Sequence, residues 1–564
     1  MALVRRIQIA NFRGIHRLDW LPQPGINCLI GSGDSGKSTV LDAVDYCLGS
    51  RRTISVSDAD FFNMDVSQPI QIDITIGGLA DSLVDFDSYG IYLRGFNMAS
   101  GAIEDEYGVG LEPALTVRFQ VDDSLEPSWT LISDRAAAQG QTRNLKWADR
   151  SEIAPTRIGV YANHHMSWNK WSVLNRLNDE GVDASGALAV AAREARTSFG
   201  DTAGARLTTT LRTVKASADT LGIPVGNTVR AMLDPHSVSF TGGTIALHNE
   251  NGIPLRNLGM GSSRLLVAGL QGNTAGTASI AIVDEVEMGL EPHRISRLLT
   301  ALGSKSVDPK MQVFMTTHSP VVLRELNGSQ LFVLRSGNPH YLHQAGHTPA
   351  VQGTLRLFPA SFLGRNVLIC EGATEVGLIR GIDMYRSDNS LPTLAAAGCV
   401  CLDANGVSQI YNRTKPFIQL GYQTAVLRDD DVQPDAAAET AFTASGGRVF
   451  KWSPGKALEN ELFDCVSEDA VRKLLQYAIS IHGAQKIDAH LATAQQGPMD
   501  SATAQNVINP ASRNLIGNAA KLGEWFKRIS IMEDAARYII APDLAVTQSV
   551  FKTVTESIFL AAVP

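Results

Sequence analysis

Gly31-Ser-Gly-Asp-Ser-Gly-Lys-Ser38 decides the fold of the first half of this chain. It satisfies G-x-x-x-x-G-K-[ST] at every fixed position, and one chemistry accounts for all of them. Gly31, Gly33 and Gly36 let backbone N–H groups close around phosphates, Lys37 reaches the β/γ-phosphates, and the Ser38 hydroxyl holds Mg²⁺. Asp34 and Ser35 lie within the loop and Thr39 follows it, so all three belong to the expected nucleotide contact. Upstream, Ile26–Ile30 reads as the strand that feeds the loop. Downstream, Ser38–Leu48 reads as a helix whose N-terminal dipole favours an anion. Strand, loop and helix together predict an α/β domain that binds ATP with Mg²⁺.

Composition bounds the rest. A chain of 564 residues is long enough for about two to four domains. Hydrophobic residues at 44% and charged residues at 19% are those of a soluble globular protein. No apolar run reaches membrane-spanning length, and Met-Ala-Leu-Val-Arg-Arg at the start has no signal-peptide core, so a cytoplasmic protein with no membrane partner is expected. The six cysteines lack zinc-type spacing and suit a reducing compartment, with Cys399 and Cys401 read as buried thiols on a strand. A formal charge of −8 argues against a uniformly basic nucleic-acid binder. It leaves room for a local site where metal ions meet phosphates.

Along the chain, Val4–Ala10 reads as a first strand, and Ile70–Ile76 and Leu115–Val121 as strands of a meander. From Ser167 to Met232 the texture turns Ala-, Leu- and Arg-rich with helical periodicity, a helical insertion at about 165–235 and a candidate dimer contact. Strand signals resume at Ser237–His248, with Asn249-Glu-Asn-Gly252 as a hairpin turn.

A second cluster begins at Ser279-Ile-Ala-Ile-Val-Asp-Glu285, an apolar strand ending in two acids. Asp284 suits Mg²⁺ coordination through water, and Glu285 suits orienting or deprotonating an attacking water. Glu287-Met-Gly-Leu-Glu-Pro-His293 follows, and then the strand Gln312–Met315 running into Thr316-Thr-His-Ser319. That order resembles the ABC-type ATPases, which implies a D-loop after the acids and a switch histidine, His318, sensing the γ-phosphate. Asn257-Leu-Gly-Met-Gly-Ser-Ser-Arg264 resembles their signature loop, presented to the nucleotide of a second copy, with Gly261 and Ser262 as contacts, although it departs from the LSGGQ form. Asn11-Phe-Arg-Gly14 resembles the opening of the SMC and RecF group, which implies Arg13 near the nucleotide. A homodimer or higher homo-oligomer is implied, while long coiled-coil arms are excluded by the missing heptads.

After residue 360 the pattern changes. Asn366-Val-Leu-Ile-Cys370 is a short apolar strand delivering Glu371, and a helix then carries Glu375 near the same face. Val400–Leu402 reads as a middle strand. Thr424-Ala-Val-Leu427 is a third, ending in Arg428-Asp-Asp-Asp431, whose Asp429 and Asp431 project alike while Asp430 reads as a turn residue. Like charges packed at strand ends destabilise a fold unless a cation compensates, and oxygen-only donors suit Mg²⁺, Mn²⁺ or Ca²⁺. Strand–Glu, strand, strand–DxD with helices between resembles the Toprim domain of topoisomerases, primases and certain nucleases. The expected architecture is thus α/β throughout: an ABC/SMC-like P-loop ATPase head with a helical insertion at 1–355, followed by a Rossmann-like Toprim domain with a helical extension at 356–564.

An ABC-type ATPase followed by Toprim resembles the OLD (overcoming lysogenization defect) family nucleases, which include the nuclease subunit of the Gabija anti-phage system. The resemblance implies an ATP-regulated, metal-dependent DNA endonuclease or nickase, with a helicase or reverse-transcriptase partner encoded elsewhere. By the same resemblance Glu459, in Lys456-Ala-Leu-Glu-Asn-Glu-Leu-Phe463, joins the metal ligands, with Glu461 as the alternative. Lys527 supports the scissile phosphate, with Lys521 second. Two rivals stand beside it: a RecF-like ATP-dependent DNA clamp of DNA repair without nuclease activity, and a topoisomerase-like strand passer.

Overall fold

The computed structural model describes residues 2–51, 53–85, 89–145, 147–159, 162–168, 172–177, 185–233, 245–271 and 279–562. The chain forms two compact units, Met1–Ala10, Leu21–Ile26 and Leu41–Met315 in one, and Asn11–Trp20, Asn27–Val40 and Thr316–Pro564 in the other. The division is therefore not a single cut at residues 355 and 356. That point falls inside the helix Pro349–Leu357.

In the first unit, Ile70–Gly77 lies between two antiparallel neighbours. It pairs Val4 with Ile76 on one side and Leu115 with Ile76 on the other. Ile70, Ile72, Ile74 and Ile76 are all buried, the period-two stripe expected of a strand with one face on a core. The remaining positions are paired across the sheet: Arg118 makes a two-pronged contact to Asp73 at 2.7 and 2.6 Å, and Thr75 meets Thr116 at 2.9 Å. The meander thus takes in the first strand of the chain as well. A parallel set comprises Thr156–Arg157, Ile280–Val283 and Gln312–Thr316, with Ala281 opposite Val313. Ile280–Val283 and Gln312–Thr316 are buried along their whole lengths, as strands covered on both faces are.

The helical block is shorter than its sequence texture suggests. Its long helices are Ser185–Arg206 and Thr208–Thr220. Gly222, at φ +67°, and Pro224 end the run, since one favours a left-handed turn and the other cannot continue a helix. Of the strand expected at Ser237–His248, residues 234–244 lie outside the described residues. The rest makes only single bridges, Ser167 with Ala246 and His248 with Pro254, around the expected turn at Asn249–Gly252.

In the second unit, Ile26–Ile30 runs parallel to Leu331–Arg335, pairing Leu29 with Phe332, and Tyr341–Gln344 returns antiparallel. A separate four-stranded sheet is built from β1 (Asn366–Cys370), β2 (Cys399–Asp403), β3 (Gln423–Arg428) and β4 (Arg448–Lys451), in the order β2-β1-β3-β4. All its pairings are parallel, so each connection must cross over. Helices α1 (Ala373–Asp388), α2 (Val407–Gln419) and α3 (Ala436–Ala444) make those crossings. The chain goes from β1 to β2 on one side and then back past β1 to β3. The carboxyl ends of β1 and β3 therefore splay at a topological switch point, where open α/β sheets place their ligands.

The C-terminal helices belong to this unit's core. α4 (Leu458–Cys465) packs on α5 (Pro510–Leu522), where a Cβ on Gly517 would stand 3.1 Å from Asn460 Cα. Arg513 locks the pair by donating to the carbonyls of Phe463 and Val466 at 2.7 and 2.6 Å. α1 lies against α6 (Ile529–Ala535) just as closely: a Cβ on Gly377 would reach Ile529 O at 2.7 Å, and one on Gly381 would reach Glu533 O at 2.3 Å. Phe463, Trp525 and Phe526 are fully buried together, with Phe463 edge-on to Trp525 at 6.5 Å. Phe463→Ala is expected to destabilise this unit by about 3–5 kcal/mol, read as a lower denaturant midpoint in Trp525 fluorescence. An unmoved midpoint would mean that this cluster does not support the fold.

Candidate functional site

Three groups of candidate residues have defined geometry. The phosphate loop follows the buried strand Ile26–Ile30, and its helix begins at Lys37, one residue earlier than expected. Gly31, Asp34 and Gly36 take φ values of +145°, +57° and +90°. Gly31 is compelled, because a Cβ there would stand 2.6 Å from Leu334 O. Lys37 is almost fully buried and folds back over the loop, donating to Ser32 O at 2.7 Å and Gly31 O at 3.2 Å. Its ammonium is thus held over the loop that would take the phosphates, while Gly33, Asp34 and Ser38 are exposed and Ser35 is buried. Thr39 is half-buried behind them. Arg13, itself at φ +49°, stacks its guanidinium over Phe12 at 4.9 Å.

Asp284 is half-buried and Glu285 exposed, directly after the strand Ile280–Val283. Glu285 is held in the left-handed region at φ +45°, a strained place for a residue with a side chain. Gly261 and Ser262 begin the helix Met260–Gln271. Gly261 is buried, and a Cβ there would strike Gly289 O at 2.2 Å. Ser262 Oγ accepts from Arg294 Nη1 at 3.0 Å. His318 is exposed just past the strand Gln312–Thr316. The helix-capping role falls to Ser319, whose Oγ accepts from Val321 N at 3.2 Å.

The third group gathers at the switch point. Glu371 leaves β1 and accepts from the Asp429 amide at 3.0 Å, so the ends of β1 and β3 are tied through a side chain. Glu375 is buried in the first turn of α1, and its Oε2 accepts from Gly372 N at 2.9 Å. Asp429 Oδ1 accepts from Leu458 N, at the start of α4, at 3.0 Å. Glu459, on the same turn, is buried beside them. β3 ends at Arg428, so the D-x-D pair lies in a turn rather than a strand, yet the alternation survives. Asp430 points the other way, buried, accepting from Gly455 N at 3.0 Å and Lys451 Nζ at 3.1 Å. Far from a solvated turn residue, it anchors the loop, and the Gly455 amide holds its carboxyl down at about 2.

Burial and the neighbouring charges act on these acids together. Burial first, then Glu459 and Glu371, push the Glu375 carboxyl up to about 8. Burial, then Glu375, Glu371 and Glu459, push Asp429 up to about 9. Burial also raises Glu371 and Glu459 above the ordinary carboxylate range, Glu459 being partly relieved by Lys521.

The alternatives left by the sequence separate here. Lys521, in the last turn of α5, reaches Asp431 Oδ2 at 2.5 Å. Lys527 is exposed in the turn before α6 and pairs with Glu524, though its charge also acts on Glu459, whereas Lys521 is the lysine bonded directly to one of the acids. The packing of α5 on α4 brings it there, and spacing alone could not reveal that. Glu461 is fully buried but accepts from Ser453 Oγ at 2.9 Å, leaving Glu459 as the acid of that segment in the group. Arg428, fully buried, was not anticipated as a site residue. It donates to Glu439 Oε2 at 3.0 Å and to Asp429 O at 2.7 Å, bracing the turn from beneath.

The donor set is all carboxylate oxygen, which fits a hard divalent cation. Among the described residues, no three His, Cys, Asp or Glu side chains are arranged to hold a metal ion as they stand.

With this geometry in view, comparison with known proteins fixes the class. The chain belongs to the family described as "AAA domain, putative AbiEii toxin, Type IV TA system", whose profile matches residues 26–324, more than half its length. It therefore carries an ATPase domain of that family. It is 35% identical over 57 residues to the DNA replication and repair protein RecF of Chlorobium luteolum, covering 10% of this chain and 15% of RecF. It is also 33% identical over 76 residues to the OLD nuclease of Thermus scotoductus, covering 13% of this chain and 14% of that protein. The chain thus spans about a seventh of the length of these curated relatives. Among solved structures it is similar to the SMC head domain from Thermotoga maritima, at 12% identity and a TM-score of 0.29, over 60% of this chain and 98% of that one. No helix among the described residues is long and apolar enough to cross a membrane.

A pH dependence follows from the carboxylates. Both folded-state values are raised, so the stability contributed by protonated Glu375 and Asp429 is complete below the ordinary carboxylate range and is lost as pH rises through about 8 and 9. In EDTA the unfolding temperature of this unit is expected to fall between pH 5 and 9, and Glu375→Gln to flatten that fall. An equal slope in both proteins would show that the acids are not crowded.

Proposed function

We propose that this protein is an ATP-regulated, divalent-metal-dependent DNA endonuclease or nickase of the OLD type, acting in anti-phage defence. It would combine an ABC/SMC-like ATPase head with a Toprim nuclease module. The observation that carries this reading is the gathering of Glu371, Glu375, Asp429, Asp431 and Glu459, with Lys521, at the carboxyl ends of a parallel sheet. The partial identity to an OLD nuclease supports it. Divalent ions bound there supply activation of water and stabilisation of the leaving oxygen.

The chain's own residues define the remaining tasks. The five carboxylates would hold the ions, with the Asp430 and Arg428 contacts keeping the D-x-D turn fixed beneath them. Lys521 would neutralise charge building on the phosphate, a preorganised electrostatic role. Lys37 and the phosphate-loop amides would bind the ATP phosphates, Asp284 and Ser38 its Mg²⁺, Glu285 the attacking water, and His318 the γ-phosphate. ATP occupancy would bias pairing of two copies and so access to the carboxylate site, a population shift rather than a power stroke. A helicase or reverse-transcriptase partner would complete the defence system.

A RecF-like clamp is the second reading, favoured by the partial identity to RecF. Purified protein with supercoiled DNA, Mg²⁺ or Mn²⁺, and ATP separates the two. Under the nuclease reading, Asp429→Asn lowers nicking by about a hundredfold or more, and Lys521→Ala by about 10²–10³-fold. Lys527→Ala lowers nicking less than Lys521→Ala, because Lys527 pairs with Glu524 and reaches Glu459 only through its charge. Lys37→Ala loses ATP hydrolysis. ATP-dependent DNA binding that survives Asp429→Asn, with no cleavage in any metal, would establish the clamp.

A further inference from the structure

Arg264 closes the signature-like segment and is fully buried, an unusual place for a guanidinium. It pairs with no carboxylate at salt-bridge distance among the contacts defined for it. Its donors go to backbone: Nη2 to Asp284 O at 3.0 Å, and Nη1 to Glu285 O at 3.1 Å and Met288 O at 2.7 Å. One planar group thus holds three carbonyls of the turn that presents both acids. The middle one belongs to Glu285, the residue at φ +45°. A left-handed backbone at a residue with a side chain persists only where its surroundings over-determine it, and these bonds do so. The carbonyl oxygens, together with the nearby Glu287, Asp284 and Glu285 charges, keep the buried cation tolerable, although burial still lowers its proton affinity.

The geometry points to Arg264 as a positioning residue for ATP hydrolysis. It fixes the strained turn at Glu285 and so sets where that carboxylate meets the attacking water, while taking no part in holding the nucleotide. Its place on the helix Met260–Gln271 adds a consequence. Gly261, at the start of that helix, sits against Gly289 of the same turn, so a displacement of the signature-like segment is transmitted to Glu285 through two contacts, the guanidinium and the glycine pair. This inference rests on the reading of Glu285 as the residue that acts on water.

The test compares Arg264→Lys, Glu285→Gln and the parent for ATP turnover and for equilibrium binding of a fluorescent ATP analogue with Mg²⁺. A lysine keeps the charge but cannot span three carbonyls. The expected result is a fall in kcat of about 10–100-fold in Arg264→Lys, with analogue affinity within about twofold of the parent. Should Arg264→Lys not fold, Gly289→Ala serves in its place. Gly289 is exposed at φ +73°, where a side chain strains the turn, and a Cβ there would meet Met260 Cε at 2.6 Å and Gly261 N at 3.5 Å at the start of the signature-like helix. It is expected to lower kcat several-fold with binding kept. An unchanged kcat in the variant that folds, or a loss of affinity as large as the loss of kcat, overturns the inference. If Glu285→Gln hydrolyses ATP as the parent does, the reading of Glu285 itself fails, and the two failures are told apart.

Discussion

Repulsion among buried carboxylates is the constraint on which the second unit turns. Four strands running parallel direct Glu371 and the Asp429–Asp431 turn to one crevice, while α1 and α4 add Glu375 and Glu459. Left alone, such a group favours protonation and opening. The surrounding structure answers with donors: the Gly372 amide for Glu375, the Leu458 amide for Asp429, the Asp429 amide for Glu371, and Lys521 for Asp431. None of these donors neutralises the centre of the group, and the protonation of Glu375 and Asp429 is displaced upward as a result.

The ATPase segments manage strain in the backbone instead of charge. Gly31, Asp34 and Gly36 bend the phosphate loop through positive φ, and Glu285 does the same after the acid-bearing strand. Where glycine occupies the bend, no support is needed. At Glu285, which carries a side chain, the buried Arg264 donates to the carbonyl of the bend. Acids are thus placed by two means: strand ends and packing helices around the four-stranded sheet, and a clamped turn after Val283.

Local patterns in the sequence were legible wherever one strand and the residues after it carry the signal. Ile26–Ile30 and Asn366–Cys370 match their expected bounds, since continuous apolar runs between turn residues leave little choice. The acids after β1 and β3 follow from the same logic. What could not be read were placements set by packing between distant segments. The choice between Lys527 and Lys521 was not legible, because the ion pair of Lys521 with Asp431 depends on how α5 lies on α4, more than fifty residues away in sequence. The bracing roles of Arg264 and Arg428 were hidden for a related reason: a buried arginine is indistinguishable from a surface one until the fold encloses it. The helical block was overextended because composition continues past Thr220 while the glycine and proline that stop the helix are single residues.

The glycine face of α1 carries a meaning for how this module can change over time. At Gly377 and Gly381 the helix that bears Glu375 touches the α6 backbone with no room for a methyl group. The C-terminal helices, whose sequence says least about chemistry, therefore form a wall of the carboxylate crevice as well as the source of its lysine. A bulkier residue at either glycine would shift the helix that carries Glu375 while leaving every acid of the group in the sequence.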